Sequence, residues 1–180
     1  MIANLTAPAN SVQRAAGLVL AVALVIGLAT ACSKAASTLD GPATEAAVGG
    51  VVADRAHTAV DRTTCPSSIR RGKGTTVSCT VRLARKAGSV RVRVRQVDDA
   101  AKLDVVLLDA IIDNTKVTTD LERHLKASFS RSFQADCGKG VRVVKPGESF
   151  RCQARDKAGR RAVLVRVKDA AGTVAYQVLS

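Results

Sequence analysis

Apolar and polar positions follow three patterns along the chain, and each predicts a different element. Residues Ala15 to Ala31 carry no charge and hold Leu18, Leu20, Val22, Leu24, Val25, Ile26 and Leu28, with Arg14 the only charge before them. That is the layout of a secretory signal, a little short of the roughly 20 residues a spanning helix needs. A four-residue recurrence, Leu121, Leu125, Phe129 and Phe133, places one stripe of a helix against a core, with Thr119 and Glu122 as its capping box. Ala46, Val48, Val51, Val52, Ala56 and Val60 form the apolar side of a poorer helix, interrupted by Gly49 and Gly50 at a cost of about 1 kcal/mol each relative to Ala. Period-two alternation marks strands at Val90 to Arg95 and Phe150 to Ala154, and Ala162 to Val167 and Thr173 to Leu179 supply two further strands. Val141–Val144 and Phe150–Ala154, joined across Lys145-Pro146-Gly147-Glu148, read as a hairpin. Leu103 to Ile112 is apolar on both faces, which predicts a segment that ends one sheet and packs against the other half, making the halves one body.

These elements recur in one order: helix, cysteine, Gly-containing turn, cysteine, Lys-Ala-Gly turn, two further strands. Cys65 and Cys79 are 14 positions apart, and Cys137 and Cys152 are 15 apart. Lys86-Ala87-Gly88 is echoed by Lys157-Ala158-Gly159, and Asp99-Ala100-Ala101 by Asp169-Ala170-Ala171. One supersecondary unit is used twice. The predicted fold is α+β, a tandem repeat in which one helix packs on an antiparallel sheet of about four strands. The expected divisions are 1–31 as a signal peptide, 32–43 as a lipidated cysteine and flexible tether, 44–112 as the first repeat and 113–180 as the second. The polar, proline-bearing stretch Ser33 to Pro42 suits the tether.

The cysteines fix the compartment. Cys32 follows Leu28-Ala29-Thr30-Ala31, a pattern that resembles the bacterial lipobox, in which the cysteine receives a diacylglycerol and becomes the new amino terminus; Ala29 replaces the more usual leucine. Simple secretion by cleavage near Ala31, or an uncleaved anchor, are the alternative fates, and both still export the chain. The other four cysteines, an even number in an exported chain, read as disulfides. Three connectivities exist, and spacing alone does not choose. The duplication favours pairing within each copy, Cys65 with Cys79 and Cys137 with Cys152, one disulfide per unit.

Cys65-Pro66, a glycine-bearing turn, then Thr76-Val77-Ser78-Cys79 and a strand resemble an actinobacterial envelope family known only as the domain of unknown function 4333 family. The second copy matches through Cys137, Pro146-Gly147 and Phe150-Arg151-Cys152, with Gly138 where the proline would stand. The resemblance spans most of residues 45 to 180. It implies an envelope protein, often lipid-anchored, and brings no catalytic residues.

Catalysis finds little purchase. His57 and His124 are expected at roughly corresponding places on the two helices; Asp120 and Glu122 lie near His124 in sequence, and Glu122, two positions from it, points away on a helix. Neither histidine is expected to hold a metal, which needs three or four converging ligands. The aspartates Asp98, Asp99, Asp104, Asp109, Asp113 and Asp120 show no acid–base division, and no phosphate loop or nucleophile elbow appears. No cofactor is expected, and the protein is read as a noncatalytic monomer.

Charge carries the functional reading. The chain has a formal net charge of +13, no Trp, one Tyr and three Phe. In Val90-Arg91-Val92-Arg93-Val94-Arg95 the valines face inward and the arginines share the outer face, joined by Arg82 and flanked by Arg70 and Arg71. Arg151, Arg155, Arg166 and Lys168 are the counterparts in the second copy. Ordinary solubility asks for a charge of magnitude about 2 to 8 in a small domain. The excess predicts an anion-binding face built on Arg82, Arg91, Arg93, Arg95, Arg151 and Arg166. Nucleic acid is not the expected partner, since few aromatic rings are available for stacking. Anionic lipid, a wall polymer or an acidic protein is, at the extracytoplasmic face of the cell membrane. The alternative is a docking or inhibitory module acting on an exported enzyme or receptor through Val106, Leu108 or Leu164.

Overall fold

The computed structural model describes residues 38–179. The apolar run 15–31 and Cys32 lie outside the described residues. In chain order the elements are α1 (Gly41–Ala56), β1 (Val60–Thr64), β2 (Thr76–Leu83), β3 (Gly88–Gln96), β4 (Leu103–Leu107), β5 (Ala110–Asp113), α2 (Asn114–Phe129), β6 (Gln134–Asp136), β7 (Val141–Val144), β8 (Ser149–Asp156), β9 (Gly159–Val167) and β10 (Val174–Val178). Two four-stranded antiparallel sheets, β1-β2-β3-β4 and β10-β9-β8-β6, each carry one helix, and a two-stranded ladder pairs β5 with β7. The α+β duplication, with disulfides Cys65–Cys79 and Cys137–Cys152, is as the sequence predicts.

The two units agree residue by residue. Each helix has 16 residues, starts after an aspartate N-cap (Asp40, Asp113) and ends on a left-handed residue, His57 at φ 47° or Ser130 at φ 55°. Val105 on β4 faces Val94, and Tyr176 on β10 faces Val165. Thr38, just before α1, bridges Arg70 as Ile111 on β5 pairs with Val143. The aspartates of the final turns match at Asp98 and Asp169, one position from the correspondence expected through Asp99; each accepts the amide of the residue four further on, Lys102 or Thr173.

Each disulfide is tied to its helix at an equivalent point. The Cys65 N–H donates to the Glu45 carboxylate at 2.9 Å, and the Cys137 N–H donates to the Thr118 hydroxyl at 3.3 Å. Helix, edge strand and second strand meet there. Around these points the cores are almost wholly aliphatic: Val48, Val52, Val81, Val90 and Val92 in the first unit, and Leu121, Leu125, Val163 and Val165 in the second, all fully buried.

Four local expectations are corrected. Helix α2 begins at Asn114, because the Asp113 carboxylate takes the amides of Thr115 (2.8 Å) and Lys116 (3.4 Å), capping two otherwise unpaired donors. Thr119 therefore lies inside the helix, and Glu122 reaches instead to the amide of Ala135 at 2.8 Å. Phe129 ends the helix and is 47% exposed, while Phe133 is buried only because the chain turns back after Ser130. The segments 141–144 and 150–154 form no hairpin: β6 and β9 occupy both edges of β8, so β7 pairs with β5. Finally, the expected tether is already fastened at its end, for Leu39 donates to the Ile69 carbonyl at 2.8 Å and Pro42 sits in the first turn of α1.

Leu103 to Ile112 ends the first sheet as β4 and enters the second unit as β5. Its two-faced apolarity follows: Val105 and Ile111 pack with the first core, Ala110 and Ile112 with the second. The Val143 amide donates to the Ala87 carbonyl at 2.9 Å, and a Cβ on Gly88 would stand 3.1 Å from that of Val143.

Gly49 does not interrupt α1. It is buried, and a Cβ there would lie 2.7 Å from Thr63 Oγ1, so the glycine allows α1 to approach β1. Gly49→Ala should therefore destabilise the protein, despite a helix-propensity gain of about 1 kcal/mol, and Gly49→Ala with Thr63→Ala should recover the loss. Urea midpoints of the three proteins check this; a stabilised single variant would contradict the close approach.

Candidate anion-binding face

Alternation on β2 and β3 sorts the first sheet cleanly. Val81, Val90, Val92 and Val94 are buried, while Thr76, Ser78, Thr80 and Arg82 on β2, and Ser89, Arg91, Arg93 and Arg95 on β3, are exposed. Register sets these two rows side by side as Thr76 with Arg95, Ser78 with Arg93, Thr80 with Arg91 and Arg82 with Ser89. Successive same-face residues on a strand are about 7 Å apart. The outer face is thus a regular row of guanidinium groups beside a row of hydroxyl groups. Arg62 on β1 stands opposite Arg82 and extends the charge to the sheet edge.

Not every arginine in the row is available. Arg91 donates through Nη2 to Asp109 Oδ1 at 2.6 Å and through Nε to Oδ2 at 3.0 Å, and its backbone N–H donates to the same carboxylate at 2.8 Å. Asp109 is 2% exposed, in the short connection between β4 and β5. Burial alone would raise its carboxyl; the side-chain and backbone hydrogen bonds from Arg91, with the guanidinium charge, outweigh that and hold it below the ordinary carboxylate value. The same pairing raises the Arg91 guanidinium. Arg91 therefore secures the crossing between units. Arg62, Arg82, Arg93 and Arg95 have no ion-pair partner among the described residues, although Asp104 faces Arg95 across β3 and β4. Arg70 is exposed beside the Thr38 bridge, and Arg71 donates to the Asp99 carbonyl at 3.1 Å.

The second sheet presents a different surface. Arg151 and Arg166 are exposed, but half-buried Leu164 lies opposite Arg151 and Ala162 opposite Gln153, so apolar side chains divide the cations. Arg155 donates to the Gln134 side chain at 2.8 Å. Asp156, its side chain 3% exposed, draws in Arg131 at 2.9 Å and Arg161 at 3.7 Å. The six expected arginines thus fall on two faces; on the first, Arg93 and Arg95 stand two apart on β3 and Arg82 lies on β2 opposite Ser89, all three without an ion pair among the described residues. Asp109 and Asp156 escape sequence reasoning. The available signal for Asp109 was an acid isolated within an otherwise apolar run.

Other candidate groups have structural neighbours. The two histidines do not correspond: His57 is the left-handed cap of α1, the place of Ser130 in α2, whereas His124 lies within α2 with its ring 5.2 Å from that of Tyr176. Burial raises the Tyr176 phenol, with the negative charge of Asp120 adding to the shift. Among the described residues no three His, Cys, Asp or Glu side chains gather as a metal site would need, and no helix is long and apolar enough to cross a membrane. The larger hollows, about 600 and 620 Å³, are open, and neither is lined by His124. Of the apolar residues named for docking, Val106 is 46% exposed beside Arg93, whereas Leu108 and Leu164 are half-buried.

Asp109→Ala should cost about 1.5–3 kcal/mol, the range for hydrogen bonds to charged groups. The depressed carboxyl stabilises the fold above its unfolded value near 4 and loses that contribution as pH falls through the folded value. The variant should accordingly show a shallower acid limb in a plot of unfolding free energy against pH. Identical acid limbs would contradict the pairing.

No curated protein and no solved structure matches the chain. Residues 23–99 match the family model described as Domain of unknown function (DUF4333), so the first unit, through the end of β3, is similar to that family.

Proposed function

We propose that the protein is a noncatalytic module of the cell envelope, held at the outer face of the membrane by a diacylglycerol on Cys32, which binds an anionic surface through the outer face of its first sheet. The observation that carries this reading is one sheet face on which Arg93 and Arg95, two apart on β3, stand beside Ser78 and Thr76, and Arg82 on β2 stands beside Ser89: guanidinium groups without an ion pair among the described residues, each next to a hydroxyl that can donate to the same anion. A lipid-anchored domain meets phospholipid headgroups first, and basic residues close to an anionic membrane contribute about 1 kcal/mol each. A phosphate- or carboxylate-bearing wall polymer, or an acidic protein, would use the same row. The second sheet, with Arg151 and Arg166 separated by apolar positions, plays the lesser part.

Charge reversal at Arg82, Arg93 and Arg95 together, leaving Arg91 to hold Asp109, should weaken sedimentation with phosphatidylglycerol vesicles by at least about 100-fold. Binding of the parent protein should also fall steeply with salt. Unchanged binding by the triple variant would end this reading. Exposed Val106 favours the second reading, docking onto an exported protein by apolar contact; capture of such a protein that survives high salt and is lost in Val106→Asp would support it.

A further inference from the structure

The two units differ at the edge strand that leads into the first cysteine of each disulfide. Three residues before that cysteine and three after the second stand Arg62 and Arg82 in the first unit, Gln134 and Arg155 in the other. In the second unit this cross-strand pair is a hydrogen bond, Arg155 Nε donating to Gln134 Oε1 at 2.8 Å. In the first it sets two arginines directly opposite each other, a like-charge pair that weakens strand pairing, beside a register shift between Val60 and Arg62.

The chain after the cysteine differs in the same sense. The loop behind Cys137 is clamped: Arg142 Nη2 donates to the Cys137 carbonyl at 2.6 Å, Arg142 Nε to Asn114 Oδ1 at 2.6 Å, and Asn114 Nδ2 to the Lys139 carbonyl at 3.0 Å. Gly41 and Ile69 stand at the equivalent positions of the first unit, and neither side chain can donate. Pro66, Ser67 and Ser68, which follow Cys65, are all exposed. Cys65 itself is half-buried, whereas Cys79, Cys137 and Cys152 are each at most 3% exposed.

We propose that Cys65 is a thiol-exchange site: the Cys65–Cys79 disulfide opens to a dithiol reductant in the folded protein, while Cys137–Cys152 stays closed. A thiolate of the reductant attacks Cys65 Sγ; a mixed disulfide forms, the bond to Cys79 Sγ breaks, and Cys79 leaves as a thiolate that takes up a proton. The second thiol of the reductant, once deprotonated, attacks its partner sulfur in the mixed disulfide and releases Cys65 as a thiol. Two electrons have then passed to the protein, and the dithiol has become a disulfide. Opening unties β1 from β2 and leaves the repulsion between Arg62 and Arg82 unopposed, so the edge strand detaches. The site is independent of the anion-binding reading.

The test uses the full chain, any free Cys32 thiol first blocked with N-ethylmaleimide, in buffer without denaturant. It is treated with dithiothreitol for graded times, quenched with iodoacetamide and mapped by peptide mass spectrometry. Cys65 and Cys79 should be alkylated at least ~10-fold faster than Cys137 and Cys152, because access governs exchange. Amide hydrogen exchange at Val60–Thr64 should rise in the selectively reduced protein while Gln134–Asp136 keeps its protection. Arg142→Met, which removes the clamp, should bring the second disulfide towards the rate of the first. Should that variant fail to fold, Arg62→Gln, which gives the first unit the pairing of the second, should slow opening of Cys65–Cys79. Equal rates for the two disulfides in the parent protein, the pattern of reduction through global unfolding, or faster reduction of Cys137–Cys152 overturns the proposal.

Discussion

Each unit depends on one knot, where a disulfide fixes the edge strand to the sheet and a helix side chain captures the amide of its first cysteine. Glu45 does this for Cys65 and Thr118 for Cys137, from equivalent positions on helices of equal length. The need is physical. A unit of about 70 residues without tryptophan, packing mainly valine and leucine, buries too little surface to offset the entropy of ordering its chain by a wide margin. A covalent tie between elements adjacent in space but separated in sequence supplies what a small core lacks, and the captured amide places the helix over it. With helix and disulfide fixed together, the outer face of the sheet needs only a polar composition, which frees it to carry arginine.

The same economy governs the joint. β5 leaves the first sheet and pairs with β7, so one short ladder packs Ile111 and Val143 toward the first core and Ile112 and Val144 toward the second. Asp109 clamps the turn that leads into it. The corresponding ladder at the start of the first unit is reduced to the bridge between Thr38 and Arg70, with exposed polar residues where Ile111 and Val143 stand in the second. A repeat that ended in those apolar residues would expose them to water; polar terminal positions cap the array.

The sequence disclosed the features that depend on local order. Cysteine spacing, the Lys-Ala-Gly turns and period-two alternation are read along the chain, and they led to the duplication, the disulfides and the cationic row. It hid those that depend on what meets across space. Thr119 and Glu122 satisfy the capping pattern, yet Asp113 offers a cap six residues earlier, at the exit of a strand whose position only the fold determines. Val141–Val144 and Phe150–Ala154 are neighbours in sequence, but β6, tied by the disulfide, takes one edge of β8 and β9 takes the other. Arg91 looks identical to Arg93 and Arg95 until Asp109 is seen to fold back onto it. The looser edge of the first unit emerges only when Arg62 and Arg82 are set against Gln134 and Arg155.

The most direct test of the knot is urea unfolding of the protein with its disulfides intact and after reduction. Closing a loop of about 15 residues contributes on the order of 3 kcal/mol, so the oxidised protein should unfold at much higher urea and the reduced protein should lose most of its structure near neutral pH. Coincident transitions for the two forms would show that the cores stand without their disulfides, and the account would fail.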